Sequence, residues 1–224
     1  MNKLLGNLLS SPWTKVLVFA VCLVPFLLLL WPFYKLVTTG IAPELGANPV
    51  EYITHDTGNW TIRFLLITLC ITPLRKILNQ PKVIRYRRML GLFAFFYVVL
   101  HFTVYLVLDL ELNFATLGAD IVKRPYITIG FTGLLLLIPL AVTSTNAMQR
   151  RLGRRWQTLH RLVYVIAVLG VWHFYWQVKR DVREPLVYAG ILAVLLFYRL
   201  LRSRQRAAAA LTSRSGSATA PGRT

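Results

Sequence analysis

Six long apolar stretches, separated by short polar segments, constrain the fold of this 224-residue chain more than any other feature. Each has roughly the twenty residues that an α-helix needs to cross the hydrocarbon core of a bilayer. In lipid, only helices and closed barrels satisfy all their backbone hydrogen bonds, and runs of this length indicate helices. We therefore predict an all-α membrane protein, a bundle of six transmembrane helices over residues 14–34, 60–78, 89–108, 126–143, 160–177 and 186–201.

The composition supports the bilayer as the solvent of this chain. Hydrophobic residues make up 56% of the sequence, which is more than soluble domains usually carry. The formal net charge of +18 would suit a nucleic-acid-binding protein, but no basic segment is long enough to form a separate binding domain. Cys22 and Cys70 each lie inside an apolar run, so neither a disulfide framework nor a thiolate-held cluster is expected.

The distribution of lysine and arginine sets the orientation of the predicted helices. With six spans, both termini lie on the same side, and that side carries eighteen Lys and Arg residues against six on the other. Because cytoplasmic loops are enriched in Lys and Arg, we predict that both termini are cytoplasmic. A five-span arrangement would scramble this alternation.

The chain is expected to form one membrane domain followed by a tail. Residues 1–206 contain all six predicted spans. Residues 207–224 consist mostly of Ala, Ser, Thr, Gly and Arg without an apolar period, which is typical of a disordered segment. The sequence contains neither a glycine-rich phosphate loop nor a dinucleotide fingerprint, so nicotinamide chemistry within this chain is not expected.

Three histidines lie in or at the ends of predicted spans, where ionisable side chains are costly and therefore candidates for function. His101 lies in the third span, and His160 and His173 lie towards the two ends of the fifth. By the helical rise, His101 is about 12 Å and His173 about 9 Å from the outer ends of their spans. Two neutral imidazoles at similar depth suit the axial ligation of a haem. A histidine that only hydrogen-bonds a neighbouring helix is the alternative.

His160 lies about 20 Å closer to the cytoplasm than His173, which is the spacing of a second site. On a straight helix, however, the two rings would point about 140° apart. The third span has no second histidine to pair with His160. A second haem would therefore need another ligand or an open coordination position. His55, beside Asp56 in the first outer loop, is interpreted as a solvated residue.

Three arginines are further candidates for cofactor binding. Arg63, one turn into the second span, could neutralise a haem propionate, although snorkelling towards the headgroups is the preferred interpretation. Arg88 and Arg155 could engage a flavin phosphate or an inner haem propionate. As residues of the cytoplasmic side, they need no such role.

The motifs around the histidines resemble the ferric reductase-like transmembrane domain. The strings that carry the likeness are Arg87–Leu92 leading to Leu100-His101, Leu152–Arg161, and His173, with support from Thr57–Trp60 and Thr72–Arg75. A closer likeness is to the haem-binding membrane subunits of bacterial periplasmic methionine sulfoxide reductase systems. The likeness covers residues from about 45 to 175, which is most of the chain.

This resemblance implies an electron carrier of the bacterial inner membrane, with haem b and FMN as cofactors. It implies that electrons come from the quinone pool or a cytoplasmic flavin reductase. They would pass to a periplasmic, molybdenum-containing methionine sulfoxide reductase that repairs oxidised proteins and forms a heterodimer with this subunit. The sequence departs from the oxidases of the family in having one histidine in the third span and no flavin and nicotinamide domain after the last. We therefore expect a separate electron donor.

Two other functions stay open at this point. A stand-alone transmembrane ferric or metal reductase would keep the haem and need no partner. A proton-relaying transporter would use the histidines without haem. Every Asp and Glu lies in a predicted loop or at a span end, so the spans lack the buried carboxylates that proton relays commonly use. Whether the chain itself is an enzyme also stays open, because the substrate chemistry is expected in the partner.

Overall fold

A computed structural model describes the backbone of residues 2–178 and 181–218 and the side chains of residues 6–178 and 181–205. The regular structure in these ranges is helical, so the predicted all-α class is confirmed. The helices are α1 (Asn2–Ser10), α2 (Pro12–Thr39), α3 (Pro49–Ile77), α4 (Tyr86–Val104), α5 (Phe114–Lys123), α6 (Pro125–Val142), α7 (Asn146–Leu152), α8 (Arg154–Leu159), α9 (Leu162–Gln177) and α10 (Arg183–Ala218).

Five segments of the described chain are long and apolar enough to cross a membrane, so this is a multi-pass membrane protein. They correspond to the first, third, fourth, fifth and sixth predicted spans: Pro12–Thr39, Pro81–Asp109, Pro125–Val142, Arg154–Gln177 and Arg183–Gln205. The second predicted span, 60–78, lies in α3. That helix has 29 residues, which is long enough to span a bilayer, but polar residues interrupt the apolar sequence of its N-terminal half. The count of six spans is therefore not confirmed.

Helix α3 forms the centre of the bundle. Its Leu69 is fully buried, and Thr57 is 1% exposed. It packs along α4 and also contacts α9 and α10. Threonine hydroxyls on its buried face donate to carbonyls of the same helix, as Thr61 does to Thr57 at 3.0 Å. The helix is polar because much of its surface contacts protein rather than lipid.

An aromatic cluster joins α3 to α4 near the middle of the bundle. Phe64 stacks on Tyr97 at 5.2 Å and on Phe93 at 5.7 Å between ring centroids. Phe96 packs edge-on against Tyr97 at 5.1 Å. Such pairs add about 0.5–1.5 kcal/mol each beyond the area they bury, so the cluster fixes the register of the two helices.

The Tyr97 side chain also ties α4 to α2. Its hydroxyl donates to the Cys22 carbonyl at 2.9 Å and accepts from the Phe26 backbone N–H at 3.1 Å. These two backbone groups would bond to each other in a regular helix, and they flank Pro25. A side chain inserted into the helical ladder beside a proline is a recognised cause of a kink.

We expect Tyr97→Phe to lower the free energy of unfolding by about 1–3 kcal/mol, because it leaves two buried backbone groups of α2 without a partner. Thermal unfolding in detergent measures the effect. Tyr175→Phe is the matched control, since the Tyr175 side chain is 45% exposed. Equal midpoints for the two variants would contradict the role of the hydroxyl.

The first predicted outer loop is helical, and the last helix extends beyond the predicted membrane domain. Helix α3 begins at Pro49, so the interpretation of His55 as a loop residue is wrong. Helix α10 continues to Ala218, into the segment predicted as a tail. Residues 219–224 of that tail lie outside the described residues, as do Lys179 and Arg180, which the orientation count assigned to the outer side.

Candidate functional site

A cavity of about 520 Å³ opens between α3, α4, α6 and α9. This volume lies in the range of roughly 300–1,000 Å³ that is usual for ligand and cofactor pockets. Most of its wall is apolar, with His101 and His173 exposed to its interior; the apolar lining includes Ile62, Leu65, Leu134, Leu137 and Ile166. The structure thus brings the two histidines of similar predicted depth into one cavity.

The His101 and His173 rings face each other across this cavity. Their centroids are 6.1 Å apart and their planes are inclined at 79°. A metal ion midway between them would lie about 3 Å from each centroid. This distance equals the sum of a metal–nitrogen bond of about 2 Å and the radius of an imidazole ring. Within the described residues, no three His, Cys, Asp or Glu side chains form a site for a bare metal ion. Two imidazoles in an apolar slot fit the iron of a haem, whose macrocycle supplies the remaining ligands.

Backbone carbonyls of neighbouring helices hold both imidazoles in one tautomer. His101 Nδ1 lies 2.9 Å from the carbonyl oxygen of Thr54 on α3. His173 Nδ1 lies 2.7 Å from the carbonyl oxygen of Tyr126 on α6. A carbonyl can only accept, so each Nδ1 carries the proton and each Nε2 keeps the lone pair that binds a metal.

Two glycines make room for the histidine rings. A Cβ atom at Gly58 would lie 3.1 Å from His101 Cε1, and one at Gly130 would lie 2.7 Å from His173 Nδ1. Each ring therefore packs directly on the bare backbone of the helix that carries its carbonyl partner. Neither glycine was a predicted site residue, although Gly58 belongs to the motif Thr57–Trp60.

The end of the cavity lined by His55, Gln177 and Arg124 is polar. None of these three was a predicted site residue. The Gln177 amide donates to His55 Nε2 at 2.6 Å, with both residues lining the cavity. Arg124 also lines it and pairs with Asp120 at 3.2 Å, and the Tyr105 hydroxyl donates to the same carboxylate at 2.6 Å. Burial acts to lower the pKa of Arg124, but the charge of Asp120 together with Tyr126 and Tyr105 outweighs it, and the net pKa is raised. Arg124 is therefore a permanent cation at this mouth.

Arg63 does not line the cavity. Its Nε donates to the Tyr188 hydroxyl at 2.9 Å, and its Nη2 pairs with Glu184 at 3.3 Å. The guanidinium also lies 4.8 Å from the centre of the Trp60 ring. The structure thus places Arg63 in a junction between α3 and α10.

His160, Arg88 and Arg155 also lie away from the cavity. His160 Nε2 is 3.0 Å from the Thr143 hydroxyl, and its ring stacks on Trp156 at 3.9 Å. Arg88 bonds the Gln149 side chain at 3.4 Å in an exposed position, and Arg155 is exposed. Of the six candidates, the structure brings together only His101 and His173.

Comparison with known proteins places the chain in a family. The family model described as ferric reductase like transmembrane component matches residues 57–171. A Xanthomonas euvesicatoria protein named protein-methionine-sulfoxide reductase heme-binding subunit MsrQ is 55% identical over 186 residues, covering 83% of this chain and 85% of that protein. The chain belongs to the MsrQ family of ferric reductase-like membrane proteins. The resemblance in its histidine motifs is thereby confirmed.

Two further MsrQ relatives are covered to a similar extent. A Xanthomonas axonopodis protein of the same name is 53% identical over 197 residues, covering 87% of this chain and 90% of its own length. A Herminiimonas arsenicoxydans relative, also so named, is 51% identical over 184 residues, covering 81% of this chain and 84% of its own length. The likeness to MsrQ therefore extends over nearly all of the described membrane bundle.

Proposed function

We propose that this MsrQ-family protein is a haem-binding subunit that carries electrons across the bacterial inner membrane to a periplasmic methionine sulfoxide reductase. The observation that supports it best is the His101–His173 pair, 6.1 Å apart in an apolar cavity. The names of its MsrQ relatives, which describe heme-binding subunits of protein-methionine-sulfoxide reductase, supply the partner. In this proposal, substrate chemistry belongs to that partner.

His101 and His173 would hold the iron of haem b. When bound, the haem supplies a one-electron couple between ferric and ferrous iron. The chain's own residues do the rest: apolar side chains exclude water from the cavity, and the carbonyls of Thr54 and Tyr126 orient the imidazoles. Such outer bonds raise the basicity of a ligating imidazole.

In the proposed topology, α3 also crosses the membrane, as the second of six spans, and both termini are cytoplasmic. Its polar residues are compatible with this, because polar side chains inside a membrane bundle face its interior, and Thr57 and Thr68 are buried. The mouth lined by His55 and Arg124 then opens to the periplasm, on the side where the proposed partner would dock.

The electron donor is proposed to be the quinone pool or a cytoplasmic flavin reductase. FMN, with Arg88 or Arg155 at its phosphate, stays a prediction, as does a haem propionate at Arg63. Arg155 is exposed and Arg88 is half-buried, which leaves both accessible to a soluble donor. Adding each purified donor to the oxidised protein and following reduction of the haem decides between them.

Electron transfer from haem to partner tests the proposal. The haem of the reconstituted protein is reduced with a quinol under argon, and the purified periplasmic reductase and methionine sulfoxide are then added. We expect rapid reoxidation of the haem that requires both additions. Reoxidation by ferric chelates alone, at the same rate, would instead support the stand-alone metal reductase.

We expect His160→Ala to retain the haem held by His101 and His173, because His160 lies off their cavity and bonds Thr143. Haem per chain is measured by its pyridine derivative, with the wild-type protein as control. A loss of about half the haem would establish the second, inner site that the sequence offered at His160. Loss of all haem would contradict the assignment of the cavity.

A further inference from the structure

Arg199 is a half-buried cation in the crevice between α3, α9 and α10. Its Nη2 donates to the Leu69 carbonyl on α3 at 2.7 Å, and its Nη1 donates to the Tyr164 hydroxyl on α9. Its guanidinium also lies 4.7 Å from the centre of the Tyr164 ring. These partners are all neutral.

One hydrogen-bond donor of the guanidinium has no partner among the described residues. Its Nε is buried and has no hydrogen-bond partner; in the described residues, Thr72 Oγ1 on α3 is the other buried side-chain atom in that state. Leaving a buried donor unpaired is unfavourable, and more so when the group is charged. The crevice therefore holds excess positive charge and an unused donor.

Among the described residues, no Asp or Glu side chain forms an ion pair with Arg199. The sequence has eight Asp and Glu residues, and the last of them, Glu184, is fifteen residues before Arg199 on the same helix, or about 22 Å away. The remaining seven lie at the ends of the helices that carry the cavity mouth or in the loops beside them: Glu44, Glu51, Asp56, Asp109, Glu111, Asp120 and Asp181. The counter-anion must come from another molecule.

We propose that Arg199 binds a phosphate group in this crevice. Arg199 lies six residues before Gln205, where the apolar segment ends, or about 9 Å from that end. This depth is within reach of phosphates at the membrane surface, both those of lipid headgroups and those of soluble phosphate esters. The forked N–H groups of arginine match phosphate oxygens, and a buried ion pair removes the uncompensated charge.

The test follows unfolding of the full chain by tryptophan fluorescence, which does not depend on haem. Wild type, Arg199→Gln and Arg202→Gln are titrated in neutral detergent with phosphatidylglycerol, or with inorganic phosphate at constant ionic strength. Arg202 is the matched control, an exposed arginine one turn further along α10. A ligand that binds only the folded state raises the unfolding temperature.

We expect wild type and Arg202→Gln to be stabilised alike. Arg199→Gln should need at least about tenfold more ligand for the same shift, as loss of a charge-assisted fork implies. Stabilisation by phosphatidylglycerol alone identifies a lipid headgroup, and stabilisation by inorganic phosphate as well identifies a soluble phosphate ester. Equal responses of wild type and Arg199→Gln overturn the proposal. If Arg199→Gln does not fold, Arg199→Lys decides by the same criterion, because a lysine ammonium cannot reproduce the fork.

Discussion

Replacing His101 or His173 with alanine is expected to lower the haem content per chain at least about tenfold. Mutating a group that only hydrogen-bonds a metal ligand already weakens binding about 10- to 100-fold, and loss of the ligand itself should cost at least as much. Each variant removes one of the two imidazoles whose ring centroids lie 6.1 Å apart. The cavity is otherwise lined mainly by apolar side chains at that depth, so no nearby group replaces the lost imidazole. Haem is quantified per chain in protein purified under identical conditions.

His55→Ala is the matched control for these variants. His55 lines the same cavity, but at its outer end, where it bonds Gln177. We expect it to retain the haem. A second arm adds imidazole to His173→Ala, because a free imidazole can fill the vacated ligand position and restore the spectrum. Full haem in both His101→Ala and His173→Ala would refute the paired ligation.

Gly130→Ala is expected to weaken haem binding about 10- to 100-fold without removing either ligand. Its Cβ would lie 2.7 Å from His173 Nδ1 and 2.8 Å from Cε1, closer than real Cβ contacts allow. The ring must then move and lose its 2.7 Å bond to the Tyr126 carbonyl. Haem titration and the low-spin absorption bands report both consequences.

Gly133→Ala provides the control on the same helix. A Cβ at Gly133 meets nothing within 4 Å, although the residue lines the same cavity. In a helix interior, alanine is favoured over glycine by about 1 kcal/mol, so this variant should fold at least as well as wild type and keep its haem. Equal loss of haem in both variants would show that the cavity, not the His173 ring, is sensitive to added volume.

The sequence predicted that His101 and His173 lie close together because depth follows from simple rules. Apolar runs place five of the spans, and a rise of about 1.5 Å per residue puts His101 and His173 at similar depth. The mutual orientation of the helices does not follow from such rules. Gly58, Gly130 and the two carbonyl acceptors depend on which helix faces are in contact, and each contact joins residues far apart in the chain.

Two features that the sequence analysis did not anticipate have different physical origins. The helical placement of His55 was predictable, because Asn48 followed by Pro49 and Glu51 is a helix-start signal, and the Asn48 side chain accepts from the Glu51 N–H at 3.3 Å. The contacts of Arg63 were not predictable. They depend on Tyr188 and Glu184 of α10, more than 120 residues away.

The measurement that tests the central claim most directly is the haem content and spin state of the purified wild-type protein. Optical and electron paramagnetic resonance spectra are recorded together with the pyridine derivative. We expect at least about one haem b per chain in a low-spin, six-coordinate state, which two axial histidines impose. Protein that folds but binds no haem, or binds it only in a high-spin state, would contradict ligation by His101 and His173.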